Sequence, residues 1–330
     1  MLDDIAARYD LGQWRTVRPL PGGFRIATET GDFRVAVSAA DRSDASLRFE
    51  AMLLSHLEDK AYLAPRLVRT RAGRPWHRST TGATALVTEW VEGGVVDASL
   101  AQHRRRSVRA LAEYHLAVCS FPPRLRVEGG PTVFTLGREG PAALEAFTGN
   151  SGWHLDADGR RRLRSTASYL WRQFIRVPEP LHGGGGTLPR LVIHGGFGPA
   201  TVVLDAIRPG LPADGLSGFD HCRYDLRAFD LAGALETFAR EAAGGYDLDR
   251  CADVMASYDE IDRLSPTEVS ALPTILRVER LVQVFRLTAG PACGPVHEVV
   301  EAIDEQAAHL RWLEEHEVAF VEALASSCVG

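Results

Sequence analysis

Apolar and polar side chains alternate along residues 15–38, as they do in strands that bury one face. The run WRTVRPL leads into the turn Pro21–Gly23, FRIATET follows, and Gly31-Asp32 separates it from FRVAVS. Short glycine-containing turns between alternating runs are typical of β-hairpins. This stretch is therefore predicted to form antiparallel strands.

From residue 43 the apolar spacing changes to that of a helix. In SDASLRFEAMLLSHLED, residues 43–59, leucine and methionine recur three and four positions apart, and Ser43 and Asp44 are residue types that cap helices. Strand-like runs return in APRLVRT, RPWHRS and TALVTEWV, and the EGG sequence at 92–94 ends them. The first part of the chain is therefore predicted to be a sheet with one helix.

Beyond about residue 97 the pattern is mainly helical. Long amphipathic stretches cover residues 99–118 and 160–177, and another begins with Ser265 as cap and Pro266 at the first helical position. Between these helices, short apolar runs predict strands at 190–204 and 215–220, and the glycine-rich residues 182–186 predict a flexible loop.

This order of elements predicts an α+β fold with two lobes. We expect residues 1–92 to form the small lobe, an antiparallel sheet plus one helix, and residues 93–330 to form a larger helical lobe. With 330 residues and 45% hydrophobic content, the chain is long enough for two cores.

The composition limits the partners and the compartment that we expect. A net charge of −6 gives no overall basic field for nucleic acid, and the arginine clusters at 103–107 and 159–165 fit solvated helix faces. The start of the chain lacks the pattern of a signal peptide, and no apolar run approaches the ~20 residues of a membrane span. Five scattered cysteines without a CxxC pair fit a reducing cytoplasm. Lys60 is the only lysine among 37 basic residues.

Several segments, in this order, resemble those of one enzyme family. They are PLPGGF, LRFEAMLLSHL, TALVTEWVEGG, ALAEYH, VIHGGFGPATVVLD, GFDHCRYDLRAFDLAGAL and SYDEIDRLSPTEVSALPTILR. From about Trp14 to Leu287 the chain resembles aminoglycoside phosphotransferases and their choline kinase-like and homoserine kinase-like relatives. The resemblance implies a protein-kinase-like fold, with a catalytic-loop-like segment at 191–205 and a metal-aspartate-like segment at 216–232.

The resemblance also implies where ATP or GTP with Mg²⁺ would bind. Gly22 and Gly23 match the glycine-rich loop, and Glu50 matches the glutamate that pairs with the nucleotide lysine. Glu89 and Val91 match the hinge between the lobes. Backbone N–H groups of the glycine turn could approach phosphates, and a plain hairpin turn explains the same residues.

Three positions depart from the family pattern. The catalytic loop of the family reads His-Gly-Asp, four residues, then Asn, and this chain has Gly196 for the aspartate and Thr201 for the asparagine. Glycine cannot act as a base, and a positioned base is worth about 10²–10⁴-fold in rate. The nucleotide lysine falls on Ala36. Arg34 shares the face of Ala36 and could contact phosphate, although an exposed strand arginine is an equal interpretation.

Other family positions are retained. Asp220 matches the magnesium aspartate and is expected at a strand end, while His194 and Asp230 match residues that brace the loop. His221 and Cys222 follow Asp220, and we expect them to point to opposite faces of a strand. Without the lysine, Glu50 is expected to pair with Arg34 or to face solvent.

The triple departure leads to the hypothesis of a pseudokinase. Its interlobe cleft would hold a small molecule, a peptide or a partner enzyme, and nucleotide binding would be weak or absent. The alternative is a divergent, active ATP- or GTP-dependent phosphotransferase acting on a hydroxyl of a small molecule or a peptide Ser/Thr. By analogy with relatives, either could serve natural-product biosynthesis. A third hypothesis, nucleophilic catalysis by Cys222 with His221 or His194, has little support.

Overall fold

A computed structural model describes most of the chain, and it divides into two compact units. The first comprises Met1–Glu128, Leu191–Asp225 and Glu260–Asp262, and the second comprises Gly129–Arg190, Leu226–Asp259 and Arg263–Gly330. The described residues are 2–38, 42–122, 133–150, 153–176, 188–208, 210–241, 244–289 and 295–326. The loop predicted at 182–186 lies outside them. These two units differ from the predicted lobes, residues 1–92 and 93–330. The lobe boundary at residue 92 therefore stays a prediction.

The first unit contains the predicted antiparallel sheet. Its strands are β1 (Trp14–Leu20), β2 (Gly23–Thr28), β3 (Asp32–Ser38), β4 (Leu67–Val68), β5 (His77–Arg78) and β6 (Thr84–Glu89). The spatial order is β1-β2-β3-β6-β4, and β5 also pairs with β6. The predicted hairpins are confirmed.

Alternation along the strands separates the two faces of this sheet. Ile26 and Val35 are fully buried against α1 (Leu2–Arg8), whose Ile5 is in the same core. The opposite face carries Arg25 and Arg34, which are direct cross-strand partners. The sheet therefore has one apolar face and one face with a row of arginine side chains. The helix α1 was not among the predicted elements.

Helix α2 (Asp44–Asp59) confirms the amphipathic prediction. The side chain of Ser43 accepts a hydrogen bond from the Ser46 N–H, so Ser43 is the N-cap and Asp44 is the first helical residue. Helix α3 (Ala101–Val118) follows the sheet and confirms the predicted helix at 99–118.

Four short strands lie mainly in the first unit. Strand β7 (Arg190–Ile193) pairs with β10 (Arg223–Leu226), and β8 (Val202–Val203) pairs with β9 (Gly215–Leu216). The strand predicted over 215–220 is wrong beyond Leu216, because the chain turns into a 3-10 helix at Phe219–His221. Gly218 precedes this turn with a φ of 76°, a conformation that glycine adopts without strain.

The second unit is helical. Its helices are α4 (Val133–Thr148), α5 (Ala157–Arg176), α6 (Ala228–Phe238), α7 (Leu248–Asp259), α8 (Pro266–Ala289), α9 (Val296–Glu315) and α10 (Glu317–Ser326). Their core includes Leu170, Phe174 and Leu310. Ser265 and Glu268 form a reciprocal capping box at the start of α8, which confirms that prediction. None of the helices in the described ranges combines the length and the apolarity needed to cross a membrane.

Candidate active site

The predicted glycine-rich loop is a two-residue turn, Pro21-Gly22, between β1 and β2. Gly22 has a φ of 70°, and its carbonyl accepts a 2.7 Å hydrogen bond from the Val37 N–H. A Cβ on Gly23 would clash with the carbonyl oxygen of Val35. Both glycines are therefore required by the tight folding of this turn onto β3. A contact with phosphate at this turn stays a prediction.

Arg34 and Ala36 share one face of β3, as expected from their spacing. Gly23 is the cross-strand partner of Ala36, and Arg25 is the partner of Arg34. Arg34 is half-buried. The position that resembles the nucleotide lysine therefore has an arginine one step away along the same face.

Glu50 has an ion-pair partner that the sequence analysis missed. The Arg42 guanidinium contacts the Glu50 carboxylate, and it also donates to the hydroxyls of Ser38 at 3.2 Å and Ser46 at 3.5 Å. Glu50 is only 5% exposed. The expectation that Glu50 would pair with Arg34 or face solvent is therefore wrong. The long Arg42 side chain reaches Glu50 from just before the helix N-cap.

The electrostatic environment of Glu50 brings further site residues together. Burial raises the pKa of Glu50, and the charge and hydrogen bond of Arg42 oppose this effect. Asp220 also raises this pKa and Arg34 lowers it, through their charges. The structure therefore collects Arg34, Arg42, Glu50 and Asp220 within one electrostatic neighbourhood of the first unit.

The hinge-like residues Glu89 and Val91 hold the end of β6 in place. Arg208 donates to the Glu89 carboxylate at 3.1 Å and to the Ala64 carbonyl at 2.9 Å. Val91 packs on the apolar cluster that contains Leu63 and Val203. Contacts of this segment with a nucleotide base stay a prediction.

His194 organises the catalytic-loop-like segment. This fully buried side chain lies with its Nε2 2.9 Å from the Ser217 carbonyl, and its Nδ1 accepts from the Gly196 N–H at 3.3 Å. The carbonyl acceptor assigns the ring proton to Nε2. Gly195 has a φ of 71°, and a Cβ there would lie 2.5 Å from the His221 carbonyl oxygen. His194 therefore braces the loop against the segment that carries Asp220.

Thr201, at the position of the metal asparagine, closes the loop on itself. Its hydroxyl accepts from the Gly198 N–H at 3.1 Å and lies 3.0 and 3.2 Å from the carbonyl oxygens of Gly198 and Gly196. These bonds use the hydroxyl hydrogen and one of the two lone pairs of the oxygen, so the second lone pair is not used within the loop. Thr201 therefore stabilises the loop, and a role as metal ligand stays a prediction.

His221 occupies the space beside the missing base. A Cβ built on Gly196 would lie 3.2 Å from His221 Cδ2. The His221 Nε2 is 3.5 Å from the Asp220 carboxylate. The expectations that Asp220 lies at a strand end and that His221 belongs to a strand are wrong, because both residues lie in the 3-10 turn at Phe219–His221. Cys222 lies with its Sγ 3.8 Å from the Tyr114 hydroxyl.

A magnesium ion would have a sparse set of protein ligands. Asp220 has a side chain that is 47% exposed and can reach a ligand, and the Thr201 hydroxyl could add at most one oxygen. Within the described ranges, no cluster of three or more histidine, cysteine or acidic residues could hold a metal ion. Magnesium is commonly held by one or two carboxylates together with phosphates and water. Asp220 fits such a site only with nucleotide phosphates completing it.

Asp230, the other retained acid, belongs to the second unit. It lies on α6 and is 2% exposed. Near it, the pair of Arg227 with Glu268 has a contact of 2.7 Å and is also buried. The Arg227–Glu268 pair is internal to the second unit, and the role of Asp230 in bracing the loop stays a prediction.

Comparison with known proteins establishes the family. The profile of the family described as "APH: Phosphotransferase enzyme family" matches residues 19–264. The chain therefore belongs to the phosphotransferase enzyme family, as the resemblance implied.

Sequence relatives and solved structures agree with this membership. The chain is 26% identical over 285 residues to a homoserine kinase of Parvibaculum lavamentivorans, covering 84% of this chain and 81% of the relative. It is 27% identical over 311 residues to a homoserine kinase of Methylocella silvestris, covering 88% and 89%. An aminoglycoside phosphotransferase of Alicyclobacillus acidocaldarius has the same fold, with a TM-score of 0.69, 19% identity and coverage of 99% and 96%.

A further structure with this fold was solved with bound ligands. The amicoumacin kinase hAmiN, in complex with AMP-PNP, Ca²⁺ and Ami, has a TM-score of 0.59 and 13% identity, with coverage of 93% of this chain and 96% of that chain. At this level of identity the likeness concerns the fold alone. The predicted two-lobed, protein-kinase-like α+β fold is confirmed by these neighbours.

Proposed function

We propose that this protein is a divergent phosphotransferase that uses ATP or GTP with magnesium to phosphorylate a hydroxyl of a small molecule or peptide. The observation that carries the proposal is the buried ion pair of Arg42 with Glu50, next to Arg34 and Asp220. The absence of a lysine at Ala36 had suggested that the phosphate-binding cation was lost. An arginine held by the expected glutamate supports the opposite conclusion.

Each of the four charged side chains has a proposed role in binding the nucleotide phosphates. Guanidinium groups bind phosphate oxygens bidentately, and this suits Arg34 and Arg42. Glu50 fixes the direction of Arg42, and Asp220 provides the carboxylate for the metal. When bound, magnesium would neutralise charge on the phosphates of the nucleotide. Catalysis in this family of reactions is mostly positioning and charge stabilisation, and these residues can supply both.

We base the proposed class of acceptor on the substrates that appear in the names of related kinases. Homoserine, aminopropanol and choline, named for related kinases, each combine a hydroxyl with a nitrogen cation. We infer an acceptor of the same class, or a peptide hydroxyl. Gly196 supplies no base, so we expect turnover to be slower by about 10²–10⁴-fold than with a positioned aspartate.

A second candidate function is the pseudokinase. It is favoured by the loop-closing hydrogen bonds of Thr201 together with the lack of a side chain at Gly196. Such a protein would hold a small molecule, a peptide or a partner enzyme without transferring phosphate, and its nucleotide binding would be weak or absent.

Two measurements test the proposal in order. Thermal unfolding with Mg-ATP or Mg-GTP should give a concentration-dependent rise in melting temperature, because a ligand of the native state stabilises it by mass action. Labelled γ-phosphate should then appear on homoserine, aminopropanol, choline or a serine-containing peptide. A melting temperature unmoved by millimolar nucleotide would refute the phosphotransferase and leave a pseudokinase that binds another ligand, and a shift without transfer would support a pseudokinase that binds nucleotide.

A further inference from the structure

Helix α5 in the second unit has an unusual surface for a chain of net charge −6. Over Ala157–Arg176 it carries six arginines and a single acidic residue, Asp158. Three of the arginines have ion-pair partners, since Arg161 contacts Asp158, Arg162 contacts Asp304 and Arg176 contacts Glu314. The remaining three decide what this surface can bind.

Arg160, Arg164 and Arg172 have no ion-pair partner within the part of the chain that the structure describes. They are exposed and follow the i, i+4 spacing of one helix row, with Ser168 at the intermediate position. The row spans twelve residues, or roughly 18 Å at the rise of an α-helix. An extended peptide of about five or six residues covers the same distance.

Apolar side chains accompany the row. Trp171 is 41% exposed and Ile175 is 55% exposed, and they are four residues apart on α5. Trp171, Arg164 and Arg172 line a groove of about 620 Å³ whose other wall is α4, where Glu145 lies. Arg164 also borders an adjoining groove of about 750 Å³ that reaches Arg160. The surface therefore offers a row of arginine side chains and, on the neighbouring helix row, an exposed aromatic side chain.

We propose that this α4–α5 surface docks an extended acidic peptide segment of a partner protein, about six residues long, with one large apolar side chain set against Trp171 and Ile175. Exposed tryptophan and arginine are the residue types that dominate binding at peptide and protein interfaces. Carboxylates of the segment would pair with Arg160, Arg164 and Arg172.

The same features disfavour nucleic acid as the occupant. Glu145 on the α4 wall and the overall negative charge oppose an unbroken chain of phosphates. A peptide can place a backbone N–H or an apolar side chain opposite Glu145. The docking surface is made of residues of the second unit and the charged cluster of residues of the first, and the proposal does not depend on phosphotransfer.

The test uses the full chain and fluorescence polarisation. The probe is a fluorescein-labelled hexapeptide with four glutamates, one leucine and one phenylalanine. Two labelled controls are compared with it. One is the hexapeptide with lysines in place of the glutamates, and the other is a single-stranded oligonucleotide. We expect saturable binding of the acidic peptide alone, weakening with added salt. The double variant R164E/R172E should weaken binding about tenfold or more, because two attractive contacts become repulsive.

Matched variants keep the test decisive. The control variant R15E/R71E reverses the charge of two exposed arginines of the first unit and should leave the peptide affinity unchanged. The variant W171A should weaken peptide binding with little change in the salt dependence of the affinity. Circular dichroism checks that each variant is folded. The proposal is overturned if the acidic peptide does not bind at millimolar concentration, if R164E/R172E binds as well as the native chain, or if the oligonucleotide binds in preference.

Discussion

Replacing Arg42 by alanine would leave the Glu50 carboxylate buried without its ion-pair partner. The side chains of Arg42 and Glu50 are 15% and 7% exposed, so water can replace the guanidinium only in part. Removing one member of a buried pair costs about 3–5 kcal/mol in other proteins. Because Ser38 and Ser46 lose hydrogen bonds from Arg42 as well, we expect the free energy of unfolding to fall by about 3 kcal/mol.

The pH dependence separates this explanation from a simple loss of packing. The folded-state pKa of Glu50 is already raised by burial, and it rises further when Arg42 is removed. A carboxyl with a raised folded pKa contributes stability below its unfolded pKa, and that contribution is lost as pH rises through the folded pKa. The penalty of R42A should therefore be smaller near pH 5 than near pH 7.

Urea unfolding at both pH values measures the effect, and a double-mutant cycle isolates the pair. R42A, E50A and R42A/E50A should give a coupling energy of about 2 kcal/mol. A loss below about 0.5 kcal/mol for R42A, or a cycle that is additive, would show that the pair does not hold the site together.

Three further predictions concern the loop, the metal and the helical unit. G196D should raise phosphate transfer at least about tenfold over G196A, which adds a Cβ without a carboxylate, and equal rates in a transfer assay would contradict the role given to the missing base. D220N should remove the magnesium-dependent part of the nucleotide-induced rise in melting temperature, and a full shift in this variant would exclude Asp220 as the ligand. Burial, with the charges of Arg240 and Arg280, lowers the pKa of His309. The unfolded chain therefore binds this proton more readily, so the contribution of His309 to stability is present above the unfolded pKa of about 6.5 and is lost as pH falls below it. H309Q should flatten the decline in unfolding free energy between about pH 7 and pH 5, and an unchanged slope would refute the assignment.

Local patterns were sufficient for the elements that flank the site. Alternation of period two predicted the strands around residues 15–38, and Ser265 with Pro266 predicted the start of α8, where the structure shows a capping box. These elements could be predicted because each depends on residues that are close in sequence. The family resemblance placed His194 and Asp220 in the catalytic-loop-like and metal-aspartate-like segments, and the roles of both residues in phosphate transfer stay predictions.

Other features depend on contacts that a linear pattern does not contain. The pairing of Arg42 with Glu50 spans eight residues across a helix cap, and the only local signal was a basic residue immediately before Ser43. The 3-10 turn at Phe219–His221 replaced a predicted strand because Gly218 adopts a positive φ. Helix α4 carries Pro141 in its interior and was not predicted.

The place of Lys60 has a practical consequence for chemical labelling. This residue follows the last residue of α2, the helix that carries Glu50, and it is exposed. Reagents that acylate lysines near the triphosphate of kinases would find no target amine at Ala36, so a blank result with them says nothing about occupancy. An amine-reactive fluorophore would label this one lysine side chain, beside any free α-amino group, and its emission could report how α2 responds when a nucleotide binds.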